Sequence, residues 1–294
     1  MNKKYISYLL IILIIIENAF TQDIISKTYN TENTLTYWTK ERMLNTKPLP
    51  KPLIFKNKTI NNSEKNMIKK NMINTRDKND KPFAVGILFG QKNSTENFIC
   101  TASVIRSDDG NTGITAVHCL YDWETNVWAD NMNFWPGYDH GEQSRYGCVA
   151  VKKVNISLLY INGEGLSDDY GILKFNYNGR LQDNTGCFGW GIQPGYPVEI
   201  VTFGYPEDGE MDCVKDTSNL CSWRGNASLL DNPPQPYQYI PLDLGDGSSK
   251  GPWVIKNSPP NNLGYLMGIT YGTVDSKEFS EILNFTLISS LITS

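Results

Sequence analysis

From Pro82 onward the chain is written in short, largely apolar runs, each closed by Gly, Asn, Asp or another turn former. Phe83–Phe89, Phe98–Ile105, Val149–Ile156, Tyr170–Phe175, Val198–Phe203, Gly251–Ile255 and Leu266–Tyr271 are of strand length and too brief to sustain a helical period. Only the tail, Ser276–Ser290, has helical spacing. The body is therefore expected to be all-β with a short C-terminal helix. About 210 residues of such strands make either one large sandwich or two small barrels, and periodicity does not choose between them.

The residues before Pro82 belong to two other kinds of segment. Residues 1–21 open with Met-Asn-Lys-Lys, run through an apolar stretch from Ile6 to Ile16, and end in small and polar residues, the pattern of a signal peptide. The apolar stretch is shorter than the ~20 residues that span a bilayer, so an uncleaved anchor is the lesser reading. Residues 22–81 carry 13 Lys and Arg against 6 Asp and Glu, whereas residues 82–294 carry 12 against 24. The net charge of -4 thus hides a basic segment joined to an acidic body. The segment is rich in Asn, Lys and Thr and is broken by Lys47-Pro-Leu-Pro-Lys-Pro52, so it is expected to be extended or locally helical. It reads as a solvated linker or as a pro-segment that covers the body until cut, near Lys69-Lys70 or after Arg76. Sequons at Asn57, Asn61, Asn93, Asn155, Asn226 and Asn284 fit a secreted glycoprotein.

Three places in the body carry chemistry. His118, one of two histidines, follows a strand-like run in Ile114-Thr-Ala-Val-His-Cys-Leu120. Ser167-Asp-Asp-Tyr-Gly-Ile-Leu-Lys174 sets a carboxylate before an apolar strand, and Gly245-Asp-Gly-Ser-Ser-Lys-Gly-Pro-Trp253 sets a serine in a Gly-rich turn. A serine hydroxyl is a poor nucleophile until an imidazole accepts its proton, and a carboxylate must orient that imidazole. Read in order, the three supply His, Asp and Ser.

T-A-x-H-C, D-x-[AG]-[IL]-L and G-x-S-x-G-P in this order resemble the chymotrypsin-like serine peptidases. Phe134-Trp-Pro-Gly-Tyr-Asp-His-Gly141 and Phe203-Gly-Tyr-Pro-Glu-Asp208 are similar to turns of their secreted glutamyl-endopeptidase-like branch. The resemblance covers residues 82 to about 285. It implies two six-stranded antiparallel β-barrels, which divide the body into residues 82–180 and 181–294. It also implies a secreted serine-type endopeptidase working through an acyl-enzyme, with His118, Asp169 and Ser249 as catalytic residues and Asp168 as the competitor for the carboxylate role. Gly247 and Ser249 become the oxyanion donors, and Asp243, Thr270 and Gly272 fall at the substrate pocket. Asp243 stands at the spacing that pairs with Lys or Arg in trypsin, or is a solvated loop carboxylate. Thr270 replaces the histidine that contacts glutamate in the glutamyl endopeptidases, which argues against cleavage after Glu.

Two departures stand out. Ser248 replaces the Asp that pairs with a freed N-terminal ammonium in the trypsin subgroup, so any pro-segment is expected to act by cover or by assisting folding. Lys250 stands where the family has Gly after the nucleophile, in a turn close to the site. A side chain there could block substrate or distort the oxyanion donors. The alternative function is accordingly a silent homologue that binds a partner through the same cleft.

The resemblance pairs Cys100 with Cys119 around His118. Cys213 and Cys221 are close enough for a local loop, leaving Cys148 with Cys187 by elimination, although four cysteines allow three connectivities. No zinc spacing, phosphate-binding loop or EF-hand loop occurs, so no metal and no cofactor is implied. His140 lies in a polar turn and reads as a surface residue. Protein or peptide substrates are the expected partners of a monomer, with no nucleic acid and, after signal removal, no membrane.

Overall fold

The computed structural model describes residues 23–49, 81–163, 168–230, 237–258 and 263–294. The signal-peptide reading and the cut sites near Lys69-Lys70 and Arg76 fall outside them. In chain order the elements are β1 Ile24–Thr28, α1 Thr34–Tyr37, α2 Lys40–Leu44, β2 Lys47–Pro48, β3 Val85–Lys92, β4 Glu96–Val104, β5 Thr112–Thr115, β6 Tyr121–Asp122, β7 Val127–Trp128, β8 Asp130–Pro136, β9 Val149–Ser157, α3 Leu158–Asn162, β10 Gly171–Phe175 and α4 Leu181–Thr185. The second half adds β11 Val198–Gly204, β12 Cys221–Leu230, β13 Tyr237–Ile240, β14 Pro252–Ser258, β15 Leu263–Val274, β16 Lys277–Glu281 and α5 Phe285–Thr293.

These strands form two closed six-stranded antiparallel barrels, which settles the choice that periodicity left open. The first runs β8-β3-β4-β5-β10-β9 and closes where Asn133 and Phe134 of β8 pair with Ala150 and Val149 of β9. The second runs β11-β12-β13-β16-β15-β14 and closes through β11 and β14. Closure removes sheet edges, and it lets short strands bury side chains inward with every ladder bond made. Phe134 stacks on Phe175 at 4.8 Å inside the first barrel. Trp253, Ile200, Ala227, Ile240 and Met267 fill the second.

The tail differs from its helical spacing. Lys277–Glu281 is strand β16, paired on both sides with β15 and β13, and the helix starts only at Phe285. A strand needed to close the barrel overrides local propensity here. Asn284 then starts α5, its side chain accepting from the N–H groups of Thr286 and Leu287. Leu287, Ile288 and Leu291 of α5 join the core of the first barrel, so the end of the chain crosses back over its beginning.

The basic segment buries more than its composition suggests. Strand β1 pairs antiparallel with β9 along Ile24 to Thr28. Trp38 is buried, 5.1 Å from the ring of Phe89, and its indole donates to the carbonyl of Asn131. Lys47 pairs with Glu207 of the second barrel, and Lys81 lies 2.6 Å from Asp139.

Disulfides join Cys100 to Cys119 and Cys213 to Cys221. Cys148 and Cys187 are free, which corrects the third pairing. Elimination assumed that every cysteine is bridged, and the barrels close without that bridge. Asn155, the fourth sequon, is fully buried between the termini: it accepts from Ser26 Oγ at 2.8 Å and donates to the Leu291 carbonyl at 2.6 Å. A glycan on that amide is incompatible with this fold. Among the described residues no helix is long and apolar enough to cross a membrane.

Because Asn155 ties both ends of the chain to β9, Asn155→Ala is expected to destabilise the protein by about 1–3 kcal/mol, the cost of leaving buried partners unsatisfied. A urea unfolding curve measures it, and a change of a few tenths or less would contradict the pinning.

Candidate active site

The barrels meet along a seam, and the three chemical segments fall on it. Strand β5 ends at Thr115, and the chain turns through a 3-10 turn, Val117–Cys119, that carries His118. The Cys100–Cys119 bridge fastens this turn to β4. Asp169 immediately precedes Tyr170 and β10, at the end of a strand paired with β5, so the two residues emerge at one end of neighbouring strands.

Their contact is double. Asp169 Oδ1 accepts from the His118 backbone N–H at 3.0 Å, and Oδ2 lies 2.8 Å from His118 Nδ1. The neighbouring Asp168 is taken up otherwise, accepting from the Tyr170 hydroxyl at 3.2 Å. Of the two aspartates, then, only Asp169 holds the imidazole.

Ser249 comes from the second barrel, in the turn before β14. That turn is fixed to the first barrel through Thr101, whose N–H donates to the Ser249 carbonyl at 3.2 Å and whose hydroxyl donates to the Gly247 carbonyl at 3.1 Å. Gly247 has φ +89°, and a Cβ on it would come within 2.1 Å of the Tyr205 carbonyl, so only glycine fits. The Ser248 hydroxyl donates inward to the Leu244 carbonyl at 2.7 Å. Among the described residues, the N–H groups of Gly247 and Ser249 are donated to nothing. Ser249 Oγ and His118 Nε2 are both buried without a hydrogen-bond partner. They are two of ten such atoms among the described residues, and they do not bond to each other in this structure.

Lys250 does not point to solvent. Its side chain is fully buried, and Nζ reaches Asp169 Oδ2 at 3.1 Å, the Thr270 carbonyl at 3.3 Å and the Tyr271 carbonyl at 3.4 Å. Its φ of +76° is left-handed, a conformation that costs a non-glycine residue about 1–2 kcal/mol. The sequence signalled this position by the missing glycine but not the direction of the side chain. Sequence reasoning missed Glu281, whose Oε2 accepts from the Asp169 N–H at 3.2 Å, and Glu278, buried on the same strand. Both lie in the tail that read as helix.

The residues expected at the pocket are differently engaged. Asp243 accepts from the Gly245 N–H at 2.9 Å and the Thr273 hydroxyl at 3.0 Å. The Thr270 hydroxyl receives the Trp253 indole N–H at 3.0 Å. Gly272 sits at a bulge of β15 opposite Phe279. His140 is exposed, 3.5 Å from Asp139, and among the described residues no cluster of His, Cys, Asp and Glu could hold a metal ion.

The electrostatics follow from burial and pairing. Burial pushes the Asp169 carboxyl up, but the charges and hydrogen bonds of His118 and Lys250 outweigh this and hold it below its ordinary value. Burial drives the His118 imidazole well below 6.5; Asp169 pulls it back, and Lys250 and Lys92 push it down. Burial, with Asp169 and Asp168 near, raises Glu281 to about 8 and keeps it protonated at neutral pH.

A histidine held neutral in the fold binds fewer protons than in the unfolded chain. Its contribution to stability is therefore full above 6.5 and is lost as pH falls through the lower folded value. Urea midpoints are expected to drop between pH 6.5 and 4, and to drop less in His118→Gln. Equal slopes in the two proteins would contradict the buried neutral imidazole.

No protein-family model matches the chain, and neither does any curated protein. Solved structures do. The protease Anisep from Arthrobacter nicotinovorans is 25% identical, with a TM-score of 0.61 over 73% of this chain and 97% of that one. A thermostable serine protease, AL20, from an extremophilic microorganism is 24% identical, with a TM-score of 0.62 over 72% and 96%. A Glu endopeptidase is 15% identical, with a TM-score of 0.57 over 77% and 99%. With its two closed barrels and these structural neighbours, the chain has the chymotrypsin-like serine-peptidase fold.

Proposed function

We propose that the protein is a secreted serine endopeptidase. The carrying observation is that Asp169 holds His118 through two bonds while Lys250, the residue after Ser249, reaches the same carboxylate, with Ser249 Oγ and His118 Nε2 left without other partners. In this reading Nε2 takes the Ser249 proton while Oγ attacks the substrate carbonyl carbon. Asp169 holds the imidazole in the tautomer that leaves Nε2 free and stabilises the imidazolium that forms. The N–H groups of Gly247 and Ser249 receive the oxyanion, and a donor of that kind is worth about 10²–10³ in rate. The imidazolium then protonates the leaving amine, the acyl group stays on Ser249, and water releases it by the same steps reversed.

Against the silent homologue stands the bonding of Lys250: its buried ammonium is taken up by Asp169 and two carbonyls, and the His118–Asp169 pair remains in place beside it. For the pocket, Asp243 and Glu278 both accept from the Thr273 hydroxyl, at 3.0 and 2.9 Å. Two carboxylates there disfavour a glutamate side chain and suit a cationic or neutral one. The two disulfides fit an oxidising compartment.

Residues 22–81 act in this proposal as a pro-segment on the acidic body. Ion pairs from Lys47 and Lys81 support it, as does the place of Pro48, whose Cγ lies 3.4 Å from where a Cβ on Gly247 would sit. With Ser248 bonded to Leu244, release works by uncovering and not by inserting a new N-terminus.

Hydrolysis of a peptide library by the protein cut after the pro-segment tests this. Ser249→Ala and His118→Ala are expected to abolish turnover, and Asp169→Asn to lower kcat about 10⁴-fold. Peptides with Glu before the cleaved bond should be poor substrates. Turnover unchanged in Ser249→Ala would sink the proposal.

A further inference from the structure

The Lys250 ammonium has three protons to donate, and within the fold it finds three acceptors: one carboxylate oxygen and two carbonyls. It also lies 5.6 Å from the centre of the Tyr271 ring. A fully buried cation at a left-handed backbone position is doubly disfavoured, so these contacts describe a built site for a charge and not a stray side chain. The charge falls on the carboxylate oxygen that also holds His118 Nδ1.

We infer that Lys250 is a positioning residue: its ammonium fixes Asp169 as the anchor of His118 and extends toward acid the pH range in which the imidazole is free to accept the serine proton. This rests on the peptidase reading above. Two effects follow from one contact. The carboxylate is held ionised and oriented from the second barrel, and part of its charge is neutralised, so a proton on His118 is less well stabilised. The price is a weaker base; the gain is a base that stays unprotonated at lower pH.

The groups that act on this pair come from every element around it. Lys92 at the end of β3 adds to Lys250 in disfavouring the imidazolium. Asp169 favours it. Glu281 on β16, Tyr160 on α3 and Tyr271 on β15 all face the Asp169 charge, and Asp168 acts on Glu281. Glu278 acts on Lys250 together with Glu281. Lys250 is the cation among these in direct contact with the carboxylate.

The chain has two histidines, so the His118 imidazole can be followed by NMR once His140→Gln has identified the other. The full chain is titrated as parent, Lys250→Gly, which suits the left-handed backbone, and Lys250→Arg, which keeps the charge. Loss of the ammonium is expected to raise the His118 midpoint by about one pH unit, and Lys250→Arg to stay within a few tenths of the parent. The acid limb of peptide hydrolysis by the protein cut after the pro-segment should move with it, so that Lys250→Gly loses about tenfold at pH 4 relative to its own rate at pH 8, where the parent loses about twofold. A His118 midpoint unchanged in Lys250→Gly overturns the inference, as does a hydrolysis rate that falls equally at all pH values. The NMR arm needs no turnover: if the midpoint moves while the parent cut after the pro-segment hydrolyses nothing, the peptidase reading fails, and with it the catalytic role of Lys250, while the electrostatic contact stands.

Discussion

A carboxylate buried to 3% exposure must be surrounded by donors or it will not stay ionised, and much of this site follows from meeting that need at Asp169. One oxygen takes the His118 N–H, the other takes the His118 ring and the Lys250 ammonium, and the Asp169 N–H is given to Glu281. These partners come from both barrels. Satisfying one charge therefore fixes the imidazole, the turn that bears Ser249, and the angle at which the barrels meet. Thr101 reinforces the same junction by bonding to the carbonyls of Gly247 and Ser249.

The fold was legible where a run of residues has one period and one job. Val149–Ser157 and Val198–Gly204 read as strands and are strands. Lys277–Glu281 did not, because all five residues are buried and both of its faces are covered, so no alternation is left to read. Of the site motifs, His118 and Asp169 are seen in contact, and Lys250 links the serine turn to that carboxylate. What motif could not give is the direction of a side chain. Lys250 looked like an obstruction because its neighbours in sequence are turn residues, yet its ammonium is bound by Asp169, Thr270 and Tyr271, which are distant in sequence. Cys148 and Cys187 failed for a related reason, since counting cysteines carries no information about distance.

The charge asymmetry of the chain also has a structural expression. The basic segment is neither a free linker nor a separate module over residues 23–49: it adds a strand to the first barrel, buries Trp38, and reaches the second barrel at Glu207. At the other end of the chain, α5 packs on that same first barrel. Both termini thus brace the barrel that carries His118 and Asp169, with Asn155 between them. Once the pro-segment is cut away, α5 and its bond to Asn155 remain against β9.

In the proposed function Ser249 is a nucleophile activated by His118. A fluorophosphonate probe, which forms a stable bond only with an activated serine, tests this without a known substrate. The protein cut after the pro-segment is expected to gain one adduct, located on Ser249 by peptide mass spectrometry and absent from His118→Ala. An unlabelled Ser249 in the cut and folded protein would contradict it.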